Sequence, residues 1–206
     1  MIRFCRAVPP FMKNGYLAGC SRTREAALID PGDEVDELIA DARRAQLDVR
    51  QILLTHAHLD HITGVAAARR AFDVPVWLHP ADLPLYDAVV QQGLMFGIHV
   101  EPQPKVDRFY ASGQTLSIGD LSVLVHHTPG HSPGGVALEI GGALFVGDTL
   151  FAGSIGRTDL PGGDHATLLD SIRSVLFTFP DDTAVFSGHG RDTTIGHEKR
   201  TNPFLT

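Results

Sequence analysis

Apolar and polar residues recur with two different periods along the chain, and these periods predict its secondary structure. Short apolar runs bounded by glycine, proline or aspartate are typical of strands, whereas apolar residues spaced three or four apart are typical of helices. Strands are predicted at residues 2–8, 15–20, 26–29, 49–54, 76–78, near 109, and at 116–118, 121–125, 135–140, 143–146 and 183–186. Helices are predicted at residues 33–45, 64–72, 80–92 and 164–177.

The order of these elements predicts an α/β fold. Two strand-rich halves are each followed by helical segments, which indicates two sheets packed face to face with helices outside. Since no linker, short repeat or shift in composition divides the chain, we expect a single domain over residues 1–206.

Local signals refine the boundaries of some elements. Asp33 and Asp164 each precede a helical stripe, and an aspartate there is typical of a helix N-cap. Residues 93–104 contain glycines and prolines without a clear period. We therefore predict a mobile loop or lid over this segment.

Composition places the chain among ordinary globular enzymes. It has a formal net charge of −7 and no basic patch, so we expect no nucleic-acid partner. No apolar run approaches the length of a membrane span, and Pro9 and Pro10 interrupt the amino-terminal segment. We therefore expect no membrane partner and a cytoplasmic location, and we leave the oligomeric state open.

Two cysteines, Cys5 and Cys20, lack the C-x-x-C spacing of metal and redox motifs. We expect ordinary buried thiols. A disulfide between them is the alternative if adjacent strands carry the two residues.

The strongest chemical signal is the segment 55–61, which places three imidazoles and a carboxylate directly after an apolar run. Imidazole is a common ligand of divalent transition metals, and carboxylate oxygens complete such sites. In an extended conformation His56, His58 and Asp60 would project to one side while His61 points elsewhere. The segment therefore predicts a site for one metal ion or two.

Three later turns place a polar residue where an apolar strand ends in glycine or proline. Each turn by itself is typical of an ordinary loop, in which a histidine or aspartate makes local hydrogen bonds. Strand ends are also positions from which a rigid scaffold can direct metal ligands. The turns are residues 128–131 with His131, 147–149 with Asp148, and 187–190 with His189.

Taken in order, the HxHxDH motif and the later His, Asp and His span residues 30–189 and resemble the metallo-β-lactamase-fold hydrolases. The resemblance implies a four-layer αβ/βα sandwich. It also implies that Asp30 orients a ligand histidine through the free ring nitrogen of that histidine. The implied ligands are His56, His58 and His131 for one metal, Asp60, His61 and His189 for the other, and Asp148 bridging both.

Two further stretches narrow the resemblance. Residues 147–159 and the tail 192–205 are similar to the short bacterial glyoxalase-II-like, or hydroxyacylglutathione hydrolase-like, proteins. The commonest secreted zinc β-lactamases carry a cysteine where this chain has Asp148, and they carry export signals that we do not find, so β-lactam hydrolysis is not expected. Longer glyoxalase II enzymes add a carboxy-terminal helical domain with basic glutathione contacts, which leaves glutathione specificity open here.

The resemblance implies hydrolysis of a small thioester, such as S-lactoylglutathione, by a dinuclear metal site. Two metals, zinc with iron or manganese as alternatives, would hold a bridging water whose pKa falls from 15.7 to about 7. The resulting hydroxide would attack the carbonyl carbon. Asp60 and Asp148 are the catalytic candidates, and Asp60 would also hold or pass the proton.

Arg157 is the candidate substrate contact, since a guanidinium binds a carboxylate in a bidentate manner. A surface salt bridge is the alternative for this residue. Asn14, Tyr16, Met95 and Phe96 are weaker candidates for the pocket wall, for which packing is the more ordinary role.

Two other functions fit the same motifs. Persulfide dioxygenases are similar in these elements but use one iron, which His56, His131 and Asp148 would hold here. A metal-dependent binding protein on the same fold is the non-enzymatic alternative. Metal content and the effect of replacing His61 or His189 separate the dinuclear hydrolase from the iron enzyme.

Overall fold

Two six-stranded mixed sheets form the centre of the computed structural model, which describes residues 1–111 and 113–206. The first sheet contains β1 Ile2–Arg6, β2 Gly15–Gly19, β3 Glu25–Ile29, β4 Asp48–Leu53, β5 Val76–Leu78 and β6 Arg108–Phe109, in that spatial order. The second contains β7 Thr115–Ile118, β8 Leu121–His127, β9 Val136–Ile140, β10 Ala143–Gly147, β13 Ala184–Ser187 and β14 Thr193–Thr194. Its spatial order is β14-β13-β10-β9-β8-β7, and β11 Leu150–Phe151 pairs with β12 Ser154–Ile155 beside it.

Helices cover the outer faces of both sheets. They are α1 Val35–Arg44, α2 Leu59–Ile62, α3 Val65–Phe72, α4 Leu83–Asp87, α5 Val89–Met95, α6 His165–Ser174 and α7 Ile195–Thr201. Short 3-10 turns occur at Pro80–Asp82 and Leu176–Thr178. None of the helices in the described part of the chain is long and apolar enough to cross a membrane.

The alternation of side chains along the strands produces the layers. In β4 and the residue after it, Ile52 and Leu54 pack under α1 and α3, whereas Leu53 faces the second sheet. In β10, Phe145 faces the first sheet, and its neighbour Leu144 packs under α6. Three buried clusters therefore separate four layers, and the predicted α/β sandwich with helices outside is confirmed.

One of the two predicted N-caps is wrong. Helix α1 begins at Val35, and Asp33 is exposed and accepts a hydrogen bond from Thr63 Oγ1 at 2.8 Å instead of capping the helix. Glu34 occupies the cap position, but its side chain makes no capping bond. Asp164 does cap α6, since its carboxylate accepts a bond from the Thr167 amide at 2.7 Å.

In the segment 80–104, the boundary between the predicted helix and the predicted loop lies later in the chain than expected. The predicted helix over 80–92 is a 3-10 turn followed by α4 and α5, and α5 continues through Gly93 to Met95. A Cβ at Gly93 would lie 2.7 Å from the carbonyl oxygen of Ile98, so the returning chain packs closely against this helix. Lid motion over 93–104 stays a prediction.

The cysteines are free thiols. Strand register places Cys5 opposite Tyr16, whereas Cys20 follows the end of β2. The alternative of a disulfide between them is therefore wrong. Cys20 is buried as expected, and Cys5 is partly exposed.

Candidate metal centre

The HxHxDH segment changes conformation in its middle. The chain stays extended through His58, which is the N-cap of α2, and then turns into that helix. The prediction that Asp60 projects alongside His56 and His58 from an extended segment is therefore wrong. Because a helix rotates by about 100° per residue, Asp60 and His61 leave the strand direction and form part of a separate group.

Three histidines form the first cluster, which we define as His56, His58 and His131. His131 Nε2 lies 2.8 Å from His58 Nδ1 and 3.2 Å from His56 Nε2. All three residues are at most 7% exposed. The metal-ligand atoms that these residues offer lie within 4.8 Å of one another.

Hydrogen bonds on the far ring nitrogens assign the tautomers of His131 and His56. His131 Nδ1 donates to the carbonyl oxygen of Arg157 at 2.7 Å. Thr55 Oγ1 donates to Asp30 Oδ2 at 2.5 Å, and it can therefore accept from His56 Nδ1 at 3.1 Å. These assignments leave unprotonated Nε2 atoms on His131 and His56 that face each other, an arrangement that a cation stabilises.

Asp60, His61 and His189 form the second cluster. His189 Nε2 lies 3.1 Å from Asp60 Oδ2, and His61 Nε2 lies 3.8 Å from the same oxygen. Their ligand atoms also fall within 4.8 Å of one another. Unlike the first cluster, this group combines imidazole with carboxylate, and His189 is 32% exposed.

Asp30 supports the second cluster in the manner that the sequence predicts. Its Oδ2 lies 3.0 Å from His61 Nδ1, and its Oδ1 accepts a bond from the Thr55 amide at 2.6 Å. His61 Nδ1 therefore donates to Asp30, which leaves Nε2 directed into the cluster. Asp30 adopts a positive φ of 48°, a conformation that aspartate tolerates better than most residues.

Asp148 lies between the two clusters. Its Oδ1 is 3.3 Å from His61 Nε2. Its Oδ2 is 3.6 Å from His131 Nε2 and 3.5 Å from His189 Nε2. One carboxylate therefore faces ligand atoms of both groups, which is the position that a bridging ligand requires.

Unpartnered polar atoms concentrate at this centre. Four buried side-chain atoms lack a hydrogen-bond partner among the described residues, and three of them are His58 Nε2, His61 Nε2 and Asp148 Oδ1. The fourth, Tyr110 Oη, is elsewhere in the core. Buried polar atoms without partners are unfavourable. His61 Nε2 and Asp148 Oδ1 face each other, and with the converging nitrogens His58 Nδ1, His56 Nε2 and His131 Nε2 they form a donor set that fits divalent transition metals.

The clusters differ in charge. Burial and the neighbouring His131 lower the pKa of His58 to about 3, and burial lowers the pKa of His56 well below its usual value, so both imidazoles are neutral near pH 7. Burial opposes protonation of His61, but Asp148 and Asp60 raise its pKa to about 10. The field that favours a proton on His61 would equally attract a metal cation.

Two glycines allow the ligand segments to approach closely. A Cβ at Gly188 would lie 2.1 Å from Asp148 Oδ1, and a Cβ at Gly147, where φ is 52°, would lie 2.2 Å from Thr55 Oγ1. A larger residue at Gly188 would push the His189 turn away from Asp148, and a larger residue at Gly147 would push the Asp148 turn away from Thr55 and His56.

The His189 turn is held by the amino-terminal segment. Asn14 Nδ2 donates to the carbonyl oxygens of Ser187 at 3.0 Å and Gly190 at 2.8 Å, on both sides of His189. Tyr16 Oη donates to the Ser187 carbonyl at 2.7 Å. Both side chains are at most 7% exposed. They position His189 and do not wall a pocket, and no sequence spacing indicates this contact.

A buried ion pair also holds the amino-terminal segment in place. Lys13 Nζ donates to Glu34 Oε1 at 2.7 Å and to the Asp30 carbonyl, and both charged side chains are 2% exposed. Glu34 also accepts a bond from the Gly32 amide at 2.9 Å. The backbone of Lys13 forms an isolated bridge with His189. The turn of Asp30 is thereby connected to the turn of His189.

Asp82 supports the first cluster and was not among the predicted site residues. It is fully buried, and its carboxylate accepts bonds from the Ala57 amide at 3.0 Å, Ser132 Oγ at 2.8 Å and the Gly134 amide at 2.5 Å. Ala57 lies between two ligand histidines, and Ser132 follows His131. Burial raises the pKa of Asp82 against the effect of these donors. Nothing in the segment 80–84 signals this role.

Arg157 lies at the edge of the site, where it lines a cavity of about 200 Å³ with ligand residues of both clusters. Its guanidinium makes two bonds of 2.7 Å to Asp159, and both side chains are exposed. The salt-bridge alternative therefore describes the observed contact of the side chain. Substrate binding by Arg157 stays a prediction, whereas its carbonyl oxygen orients His131.

Comparisons with known proteins agree with this geometry. Residues 8–189 match the family model described as the metallo-beta-lactamase superfamily. The hydroxyacylglutathione hydrolase GloC of Haemophilus influenzae is 38% identical over 191 residues, which cover 88% of this chain and 88% of that protein. BLEG-1 B3 metallo-beta-lactamase is 41% identical with a TM-score of 0.93 and full coverage of both chains, 100% each. TTHA1623 in a di-iron-bound form is 43% identical with a TM-score of 0.90, and the match covers 98% of this chain and 100% of that chain.

Proposed function

The chain belongs to the metallo-beta-lactamase superfamily, and on that basis we propose that it is a dinuclear metal hydrolase of small thioesters. S-lactoylglutathione or a related hydroxyacyl-glutathione is the first substrate to test, because the relative GloC is named a hydroxyacylglutathione hydrolase. The observation that carries the proposal is the position of Asp148, which faces ligand atoms of both clusters.

Each cluster supplies three protein ligands in the proposed centre. The first cluster would hold one metal through His56, His58 and His131, and the second would hold another through Asp60, His61 and His189, with Asp148 shared. When bound, two such metals supply Lewis acidity, which polarises a carbonyl group and lowers the pKa of water. We propose zinc, and the di-iron form of TTHA1623 makes iron the first alternative to measure.

Asp60 is the residue of this chain that would accept or pass on the proton of the attacking water. Although burial opposes its ionisation, His61 and His189 hold the pKa of Asp60 below its usual value, so it is a carboxylate near neutral pH. It lines the cavity and can accept a hydrogen bond from an attacking water. A thiolate leaving group needs no general acid.

Metal content and product analysis test the proposal together. We expect two metal ions per chain and stoichiometric release of thiol and acid from S-lactoylglutathione. One iron per chain with oxygen consumption on glutathione persulfide would instead support the mononuclear dioxygenase. A metal-loaded protein that turns over no thioester, persulfide, lactone or phosphoester would leave the binding-protein alternative.

β-Lactam hydrolysis is a second candidate on one specific observation. The neighbour named BLEG-1 B3 metallo-beta-lactamase is 41% identical over the whole chain, which weakens the expectation that this activity is absent. A chromogenic cephalosporin assay with the same metal-loaded preparation tests it. Turnover of the cephalosporin with kcat/KM above that for every thioester would replace the proposed function.

A further inference from the structure

An apolar surface adjoins the candidate metal centre on one side. A small cavity of about 50 Å³ opens beside His58, and a larger one of about 200 Å³ contains ligand residues of both clusters. The two cavities share His58, Gln92, Phe96 and Leu160 as lining residues, so they lie side by side. We define the apolar wall as the hydrophobic residues, other than Leu59, that line either cavity. They are Phe11, Leu85, Met95, Phe96, Leu160 and Pro161.

Part of this wall faces solvent. Met95 is 71% exposed and Phe96 is 51% exposed, immediately after Leu94 at 71%. The Phe96 ring meets Phe11 edge-on, with ring centroids 6.3 Å apart and an interplanar angle of 88°. This contact joins the end of α5 to the amino-terminal loop. Contiguous exposed apolar surface beside a polar site is typical of a ligand-binding surface.

The charges around the cavities restrict what the wall can bind. Arg157 is the only lysine or arginine among the described lining residues of the two cavities, and Asp159 neutralises it through two hydrogen bonds. The other charged lining residues, Asp60 and Asp148, are carboxylates of the candidate metal centre. A peptide portion with its own carboxylates therefore has no free partner on the wall, whereas an uncharged chain has apolar area to cover.

We infer that the apolar wall binds an uncharged apolar chain of the substrate, and that on one and the same thiol the protein favours short unbranched acyl groups over lactoyl. This inference rests on the proposed thioester hydrolysis and adds the chemical class of the acyl group. Phe96 and Leu160 are the specificity-determining residues, because they line both cavities. The lactoyl group places a hydroxyl against the wall, where it loses its hydrogen bonds to water.

A series of S-acylglutathiones tests the chain preference at constant thiol. From acetyl to butyryl, kcat/KM is expected to rise about fourfold for each methylene that the wall covers. Butyryl is expected to exceed lactoyl by about tenfold, since the burial of one methylene and the loss of a hydroxyl act together. A flat series, or a preference for lactoyl over butyryl, would overturn the inference while leaving thioester hydrolysis intact.

Substitutions separate the wall from its exposed neighbour. Phe96→Ala is expected to lower the butyryl-to-lactoyl ratio at least threefold, and Phe96→Leu, which keeps an apolar side chain, is expected to restore most of it. Leu94→Ala is the control, because Leu94 is an exposed apolar residue two positions before Phe96 that lines neither cavity. An equal loss of selectivity in Leu94→Ala would contradict the assignment.

Binding of thioethers keeps the inference testable if no thioester is cleaved. Calorimetry would compare S-methylglutathione with S-butylglutathione on the metal-loaded protein. At least tenfold tighter binding of the butyl compound that is lost in Phe96→Ala would support the wall even where the proposed hydrolysis fails. Equal affinities of the two compounds would overturn the inference.

Discussion

The two ligand clusters contain the same number of residues but depend on different parts of the chain for their geometry. The first cluster is buried, a backbone carbonyl and a threonine hydroxyl orient two of its histidines, and Asp82 binds the backbone next to them. The second contains a carboxylate and a histidine that is 32% exposed. Its exposed member is fixed by hydrogen bonds from the distant amino-terminal segment. The contrast shows that the geometry of a metal position depends on supporting residues as well as on its ligands. Each cluster has its own supporting residues, so substitutions can disturb one cluster and leave the other unchanged.

Loss of Asp148 should weaken both clusters together, because its carboxylate faces both. In Asp148→Ala we expect weaker metal binding at both positions and a fall in thioesterase kcat of about a thousandfold or more. The physical reason is that metal ions contribute several kcal/mol to the stabilisation of transition-state charge. Metal analysis after gel filtration and initial rates measure this. Asp192→Ala, at an exposed pair with Arg3, is the control, and an Asp148→Ala protein that retained two metals would refute the shared role.

Removal of His61 should break only the second cluster. For His61→Ala we expect metal content to fall from two ions per chain to about one, with hydrolysis reduced by about a hundredfold or more. Circular dichroism would check that the fold persists. If His61→Ala instead retained its full metal content and consumed oxygen with a persulfide, the mononuclear iron assignment would be correct, because that centre does not use His61.

Asn14 should affect the second cluster without contacting any metal. Asn14→Ala removes both side-chain bonds that flank His189, so we expect affinity at the second position to fall about 10-fold to 100-fold while the first is unchanged. Competition with a chromophoric chelator resolves the two steps. Gln51→Ala is the matched control, since Gln51 is a buried amide that donates to the carbonyl of Ser117 away from the ligands. Equal weakening of both steps would argue against a local role.

Asp82 provides the corresponding test of the first cluster. Asp82→Asn keeps the size of the side chain but replaces one acceptor oxygen, so we expect about tenfold weaker metal binding at the first position and little change at the second. The same chelator competition measures it. Asp41→Asn replaces another buried carboxylate, which pairs with Arg6, and is expected to change stability only. A shift of the second step in Asp82→Asn would contradict the separation of the clusters.

The smallest expected effect comes from single hydroxyl groups. Tyr16→Phe and Tyr86→Phe each remove one hydrogen bond from a buried tyrosine to a backbone carbonyl, of Ser187 and Pro104 respectively. We expect a similar loss of unfolding free energy, about 1 kcal/mol, in both variants. Only Tyr16→Phe should also weaken metal binding at the second position, by a few fold. Denaturant titrations and metal competition on this pair therefore separate stability from positioning.

Local patterns indicated two sheets with helices outside and the polar turns at the strand ends, whereas the four layers and the full set of ligands were implied by the resemblance to a known family. The apolar run before His56 and the glycines beside Asp148 and His189 mark strand ends, and strand ends meet at one edge of packed sheets. The predicted α/β class is confirmed, and the structure brings the seven candidate ligands together. Which metal they hold stays a proposal.

Unlike Asp30, the supporting residues Asp82 and Asn14 had no signal in the sequence, because their partners are distant along the chain. Asp82 reaches Ser132 across 50 residues, and Asn14 reaches Ser187 across 173. The prediction of an N-cap at Asp33 failed for the same reason. The contacts of this turn come from other parts of the chain, since Asp33 binds Thr63 and the neighbouring Glu34 binds Lys13. Periodicity detects contacts within an element, whereas these contacts form only after the sheets have packed.

The hydrogen bonds from Asn14 to the His189 turn affect the order in which the protein can fold during synthesis. Asn14 and Gly190 are 176 residues apart, so the segment that fixes the last ligand leaves the ribosome long before that ligand is translated. The growing chain can assemble the helices over the first sheet early, but the second cluster requires the chain through residue 190. Tight uptake of a second ion should therefore report that the amino-terminal segment has packed against the His189 turn.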